Sequence, residues 1–203
     1  MIAIVDYGVG NLFSLVSSFK AIGVEAIATS DRDIIEKADK IVLPGVGAFG
    51  DAAEKLASSG LKEVVLSEVK KGKPLLGICL GMQMLFEKSY EYGEHKGLSL
   101  IKGSVKPMKG YITEGLKIPQ IGWNSLSFHG EKSKLFKYIN EGDFVYFVHS
   151  FYGADCEDSL IASTEYGGRI TAAVASGNVY GTQFHPEKSG EVGLSILRAF
   201  CEI

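Results

Sequence analysis

The sequence predicts a three-layer α/β domain with a mixed central sheet and helices on both faces, and three observations carry that prediction. Short apolar runs alternate with helical periods through the first half of the 203 residues, the pattern of βαβ units in a parallel sheet. From Gly93 on, short strands follow one another without helices until a closing amphipathic stretch. The chain also carries 25 glycines, well above the usual share of about 7%, and several stand where an apolar run must turn.

Taken in order, Ile2-Ala3-Ile4-Val5 reads as a buried strand. After the Gly8-Val9-Gly10 turn, Asn11 is suited to cap a helix in which Leu12, Leu15, Val16, Phe19 and Ile22 recur at helical spacing, and Gly23 stops it. Residues 24–28 form a second strand. Ile41-Val42-Leu43 forms a third, running into Pro44-Gly45-Val46-Gly47. Helical periods follow through Ala52, Ala53 and Leu56, then through Val64, Val65 and Val69, closed by Gly72 and Pro74. The Lys70-Lys71-Gly72-Lys73 run reads as a solvated helix end, where cations suit the C-terminal dipole. Leu75-Leu76-Gly77-Ile78 is a fourth buried strand, and Met82, Met84, Leu85 and Phe86 begin a helix right after Cys79. Runs at 104–105, 123–128, 144–148, 160–164, 170–175 and 179–184 read as antiparallel additions to the sheet edge. Residues 190–201 form the last helix, with Val192, Leu194, Ile196, Leu197 and Phe200 on its apolar face. No repeat or low-complexity linker divides the chain, so residues 1–203 are expected to form a single domain.

Composition narrows the function classes. A net charge of −3, a pI near 5.8 and the lack of a Lys/Arg stripe argue against nucleic acid or a membrane surface as partner. The most apolar window, residues 74–86, is broken by Gly77, Gly81 and Gln83 and falls short of the ~18 residues a bilayer span needs. No charged leader precedes the first strand, so a cytoplasmic location is expected. Cys79, Cys156 and Cys201 form no C-x-x-C pair and are odd in number, which suits a reducing compartment without disulfides or a metal site.

Gly77-Ile78-Cys79-Leu80-Gly81 sets a cysteine between a strand and a helix with a glycine two residues to either side. That is the spacing of a nucleophile elbow. The helix N-terminus favours a thiolate, and the Leu80 N–H is free to face an oxyanion. A buried structural cysteine fits the same pattern. Downstream, Gln183-Phe184-His185-Pro186-Glu187 follows a strand. Proline keeps His185 extended, so Glu187 lies on the same side and can hold one ring nitrogen while the other faces Cys79. A lone histidine is commonly just a satisfied core or surface residue; the glutamate and the upstream elbow favour a Cys-His-Glu relay. The Pro44-Gly45-Val46-Gly47-Ala48-Phe49-Gly50 loop could be a plain turn or an anion cradle. It lacks the lysine and hydroxyl of a P-loop, and Gly8-Val9-Gly10 lacks the third glycine of a dinucleotide fingerprint. Beside a thiolate, its N–H groups read best as the other half of an oxyanion hole.

With these elements the chain resembles the class I (triad) glutamine amidotransferases, and within them the glutaminase subunits of imidazole glycerol phosphate synthases of histidine biosynthesis. The resemblance rests on Asp6-Tyr7-Gly8-Val9-Gly10-Asn11, the Pro44 loop, Gly77 to Gln83, Gly97-Leu98 with Gly103, Gly122-Trp123-Asn124, Tyr146-Phe147-Val148-His149-Ser150, and Gln183 to Ser189. It implies a flavodoxin-like fold without metal or cofactor. It further implies that Cys79 attacks the amide of L-glutamine, with His185 as base and acid and Glu187 orienting it. Main-chain N–H groups of Leu80 and of Gly45, Val46 and Gly47 would hold the oxyanion. Gln83, Glu91, Ser150 and Phe151 align with substrate-binding stretches, Glu91 through the α-amino group; Phe151 stands where a tyrosine is expected. Gln83 could equally cap its own helix, and Glu91 could be solvated. Ammonia would pass to a (βα)8-barrel cyclase subunit in a heterodimer, the cyclase forming imidazole glycerol phosphate and aminoimidazole carboxamide ribotide. Asn11, Trp123, Tyr146 and Lys188 would face that partner, although Trp123 could be a core aromatic and Lys188 an ordinary surface cation. Two other readings stand beside this one: the amidotransferase subunit of anthranilate or aminodeoxychorismate synthase, and a non-catalytic binding module. Cys156, Cys201, His95 and His129 read as structural.

Overall fold

In the computed structural model, which describes residues 1–203, the first half runs β1 (Ile2–Val5), α1 (Leu12–Ala21), β2 (Ala26–Thr29), α2 (Arg32–Lys37), β3 (Lys40–Leu43), α3 (Phe49–Ser58), α4 (Leu61–Lys70), β4 (Leu75–Ile78) and α5 (Leu80–Met84). Short strands follow: β5 (Phe86–Ser89), β6 (His95–Lys96), β7 (Ile101–Pro107), β8 (Gln120–Ser125), β9 (Ser127–Phe128), β10 (Phe144–His149), β11 (Phe151–Ala154), β12 (Leu160–Glu165), β13 (Arg169–Ser176) and β14 (Val179–Thr182). The chain closes with α6 (Gly190–Cys201).

The central sheet has the order β2-β1-β3-β4-β14-β13-β12-β9. Its first five strands are parallel, and the rest are antiparallel. Alternation along each strand explains the layers, since successive side chains point to opposite faces. Ala3, Val5, Ile41, Leu43 and Leu75 pack with Ile35, Leu56 and Val65 from α2, α3 and α4. Ile2, Ile4, Val42, Leu76 and Ile78 pack with Leu15 and Phe19 of α1 and Ile196, Leu197 and Phe200 of α6. Apart from Ala3, each of these side chains contributes about 1.5–3 kcal/mol by leaving water. Asn11 caps α1 by accepting from Ser14 N–H at 3.3 Å.

Several expectations need correction. The late strands are not all additions to one edge. β14 sits inside the sheet between β4 and β13. Residues 104–105 belong to β7 in a separate four-stranded sheet, β11-β7-β5-β6, and β8 with β10 forms a two-stranded ribbon. The 123–128 run breaks at Leu126 into β8 and β9. The helix after Cys79 stops at Met84, and Phe86 starts β5 because it pairs with Ile101. The short α2 lacks a long apolar period and is set by its cap, Asp31, which accepts from Asp33 N–H at 2.8 Å. Lys73 is not solvated: it lies 2.7 Å from the buried Glu68 carboxylate and donates to the Ile35 and Glu36 carbonyls, tying α4 to α2. No helix is long and apolar enough to cross a membrane.

Candidate active site

The site forms at the carboxyl ends of β4 and β14, where ligands bind in open α/β sheets. Gly77 pairs with Gly181 and Ile78 with Thr182, and the register continues as Cys79 N–H donates to Thr182 O at 2.7 Å. Cys79 itself adopts φ 55°, ψ −111°, a strained backbone for an L-residue that persists where its surroundings over-determine it. The turn is tight enough that Gly81 lies against the end of β3: a Cβ there would sit 1.9 Å from Leu43 O. A Cβ on Gly45 would meet Gly81 N at 2.7 Å. These two glycines let the Pro44 loop lie directly on the elbow, and Tyr7 Oη anchors it by donating to Pro44 O at 2.7 Å. Burial, then the charge at Cys79, pushes the Tyr7 hydroxyl pKa upward.

His185 follows β14 in extended conformation and is fixed by its own N–H to Tyr146 O at 3.0 Å and by Ser189 Oγ donating to His185 O at 2.6 Å. Its Nδ1 lies 2.8 Å from Glu187 Oε1, with both side chains buried. The pairing expected at this spacing therefore forms, but Glu187 sits in a 3-10 turn, Pro186–Lys188, rather than in an extended run. Burial alone lowers the His185 pKa; hydrogen bonding and charge from Cys79 and Glu187 outweigh it and raise the value to about 10. Glu187 Oε2 has no hydrogen-bond partner, which leaves His185 as the group its charge serves. A thiol beside an imidazole oriented by a carboxylate can carry out acyl transfer. The helix dipole expected to favour a thiolate is slight, because α5 has just five residues.

A pocket of about 370 Å³ opens here, lined by Val46, Gly47, Cys79, Leu80, Gln83, Glu91, Pro119, Val148, His149, Ser150, Phe151, His185 and Lys188. Most of the residues expected in the site thus converge on one cavity; Gly45 packs beneath it and Glu187 stands behind His185. Gln83 does not cap its own helix. Its Nε2 donates to Phe151 O at 3.0 Å and to Gln183 Oε1 at 3.0 Å, so what remains to face a ligand is its carbonyl oxygen. Glu91 is buried rather than solvated, and one of its oxygens accepts from Phe49 N–H at 2.7 Å. Phe151 takes part through its main-chain oxygen, which also lies 2.8 Å from His149 Nδ1, so a tyrosine hydroxyl is not needed for those contacts. His149 and Gln183 are the residues that sequence reasoning left without a role, although both lay within quoted motifs. Burial lowers the His149 pKa to about 4, keeping it neutral at the pocket floor.

A larger cleft of about 640 Å³ lies elsewhere, lined by Tyr111, Tyr152, Cys156, Lys106 and Arg169 among others. Its cations are engaged, Lys106 with Asp155 at 2.7 Å and Arg169 with Glu157 at 3.7 Å, and burial raises the Cys156 pKa. Chemistry, not volume, therefore selects the smaller pocket. Outside its mouth, Trp123 is 52% exposed and meets Tyr146 edge to face at 6.0 Å, with Lys188 Nζ 5.9 Å from the Tyr146 ring. Asn11 is occupied with capping α1.

Residues 3–202 match the family model for glutamine amidotransferase class-I. The chain belongs to the class-I glutamine amidotransferase family. Among its relatives, the imidazole glycerol phosphate synthase subunit HisH of Wolinella succinogenes is 49% identical over 205 residues, covering 100% of both chains. HisH of Methanothermobacter thermautotrophicus is 50% identical over 203 residues, covering 100% of this chain and 98% of its own. HisH of Bacillus subtilis is 45% identical over 207 residues, covering 100% and 96%. Of solved structures, a glutamine amidotransferase superposes with a TM-score of 0.76 at 19% identity, covering 100% of this chain and 98% of that one. PurLQS from Thermotoga maritima gives 0.73 at 20% identity, covering 99% and 97%. Both structures speak for the fold.

Proposed function

We propose that this chain, as one domain over residues 1–203, is the glutaminase subunit of an imidazole glycerol phosphate synthase. It hydrolyses L-glutamine and delivers ammonia to a (βα)8-barrel cyclase subunit. The observation that carries the reading is the single pocket in which Cys79, Gln83, Glu91 and His185 converge, with Glu187 paired to His185 from behind. Full-length relatives at 45% to 50% identity that are named HisH support the pathway.

In this reading the Cys79 thiolate attacks the side-chain carbonyl carbon of glutamine. The oxyanion is held by N–H groups of Leu80 and of the Gly45, Val46 and Gly47 segment. Protonated His185 gives its proton to the amide nitrogen, and ammonia leaves as a γ-glutamyl thioester forms. His185 then takes a proton from water, the resulting hydroxide attacks the thioester, and glutamate departs as the thiolate is restored. Glu187 keeps the ring oriented throughout. Gln83, Glu91, Ser150 and Phe151 hold the amino-acid end of the substrate.

The surface around the mouth supports a docked partner. In the β8–β10 ribbon Tyr146 pairs with Trp123 and Val148 with Ile121, so these side chains share one face. Ile121, Trp123 and Phe144 are exposed there, while Val148 on the same face lines the pocket. Asn11 and Lys188 would border this contact. Glutamate release, measured with and without the cyclase subunit and its ligand, tests the reading. A rise on adding the cyclase and a complete loss in Cys79→Ala are expected; retained hydrolysis in Cys79→Ala would overturn it.

A further inference from the structure

Gln183 directly follows β14, two residues before the proposed base, and is wholly buried. A buried amide without partners costs about 2–7 kcal/mol, so where its groups point is physically constrained. Its main-chain N–H donates to Ala172 O at 2.8 Å. The side chain touches two groups: Gln83 Nε2 lies 3.0 Å from its Oε1, and Cys79 Sγ lies 3.8 Å from its Nε2.

The two ends of a side-chain amide have nearly the same shape, so the polarity has to follow from the partners. Phe151 O is a carbonyl and accepts only. The amide end of Gln83 that faces it is therefore the nitrogen, and this nitrogen has one further hydrogen for Gln183. Gln183 must answer with its oxygen, which turns its own nitrogen toward the Cys79 sulphur. The direction of donation is thus fixed from a main-chain carbonyl through two amides to the nucleophile.

A thiolate accepts such a hydrogen bond far better than a thiol. The single-turn α5 supplies little dipole, so this donor matters. We infer that Gln183 is a further catalytic residue, which donates an N–H to the Cys79 thiolate. The bond is strongest when the sulphur is negative, before attack on the substrate and again as the thioester collapses. No atoms are transferred through it. The inference rests on Cys79 being the nucleophile.

The test is the pH dependence of iodoacetamide alkylation at Cys79 in the full chain, read by peptide mass spectrometry. The titratable groups around the sulphur are His185 with Glu187 behind it, Tyr7, and His149, Glu91 and Lys188 in the same pocket. All stay unchanged in Gln183→Met and Gln183→Glu. Both variants are expected to raise the alkylation midpoint by roughly half to one pH unit and to slow alkylation at neutral pH about three- to tenfold. Gln183→Glu should show the larger effect. Glutaminase assays should show a fall in kcat with KM for glutamine within about twofold. An unshifted midpoint in either folded variant overturns the inference, as does a rise in KM alone, which would mark Gln183 as a support for Gln83. If neither variant folds, the side-chain amide signals of Gln183 in the unaltered protein decide by NMR. They should move with the Cys79 titration, and their indifference to it overturns the inference. Failure of Cys79 to alkylate in the unaltered protein would instead remove the nucleophile itself.

Discussion

Glu91 accepts a hydrogen bond from the Phe49 main-chain N–H at 2.7 Å, joining the loop after β5 to the first residue of α3. One carboxylate oxygen therefore serves the fold while the group as a whole lines the pocket. A residue with two tasks gives two separable signals. Glu91→Gln keeps an acceptor for Phe49 but loses the charge that would meet the substrate ammonium, so KM should rise about tenfold or more, with stability changed by less than about 1 kcal/mol. Glu91→Ala should raise KM and also cost about 1–2 kcal/mol through the lost helix contact. Steady-state kinetics alongside urea melts check this; equal stability of the two variants would contradict the structural half.

The strained backbone at Cys79 makes a prediction that is independent of chemistry. Glycine tolerates φ near 55° where alanine does not. Both Cys79→Ala and Cys79→Gly should be inactive, yet Cys79→Gly should be the more stable by about 1 kcal/mol. Differential scanning calorimetry of the pair reads this directly, and a less stable glycine variant would mean that packing of the β-carbon outweighs the strain.

The His185 proton links stability to pH. The folded protein holds this proton up to about 10, against an ordinary value of 6.5. A raised folded-state pKa stabilises fully below about 6.5, and that contribution drains away as pH climbs toward 10. Unfolding free energy should therefore decline between about pH 6.5 and 10. The decline should flatten in Glu187→Gln, with kcat reduced roughly a hundredfold. Urea titrations across that range provide the check, and an unchanged slope in the variant would argue against the pair as its source.

Gly81 and Gly8 should respond very differently to alanine. At Gly81 the new carbon would sit 1.9 Å from Leu43 O, whereas Gly8, at φ 81°, has nothing within 4 Å. Gly81→Ala should cost more than about 2 kcal/mol by prying the elbow from β3, and Gly8→Ala about 1 kcal/mol from backbone strain alone. Comparable costs would show that the elbow yields more easily than its packing suggests.

Trp123 is the chain's 1 tryptophan and is 52% exposed, so its fluorescence reports on the ribbon. Binding of the cyclase subunit should shift its emission to the blue, and Trp123→Ala should weaken the complex by at least about 2 kcal/mol. Complex formation without any spectral change would move the interface away from β8.

How much of this was legible in the sequence follows the range of the interactions. β1, β3 and β4 announced themselves as apolar runs, and Gly23 ended α1 with φ 78° as its type suggests. The Cys79 elbow and the His185–Glu187 pair were readable because each is local. Pairing partners were not. Nothing near Val179 says that β14 enters the sheet beside β4, and nothing near Phe86 says that Ile101 will draw it into a strand. Lys73 reads as solvated until Glu68, Ile35 and Glu36 are brought around it. Glu91 and Gln83 needed the same knowledge, since their partners Phe49 and Phe151 lie 42 and 68 residues away.

The insertion of β14 between β4 and β13 also sets a schedule. Cys79 and Gln183 are 104 residues apart in the chain, and the strand that brings Gln183 and His185 to the sulphur is the last of all the strands. A chain emerging from the ribosome must extend past β14 before His185 and Gln183 can reach the Cys79 thiol. Until then Cys79 stands at the end of β4 without its neighbour strand β14. Such dependence on distant pairing slows folding, and it keeps Cys79 apart from His185 and Gln183 in any product that stops short of β14.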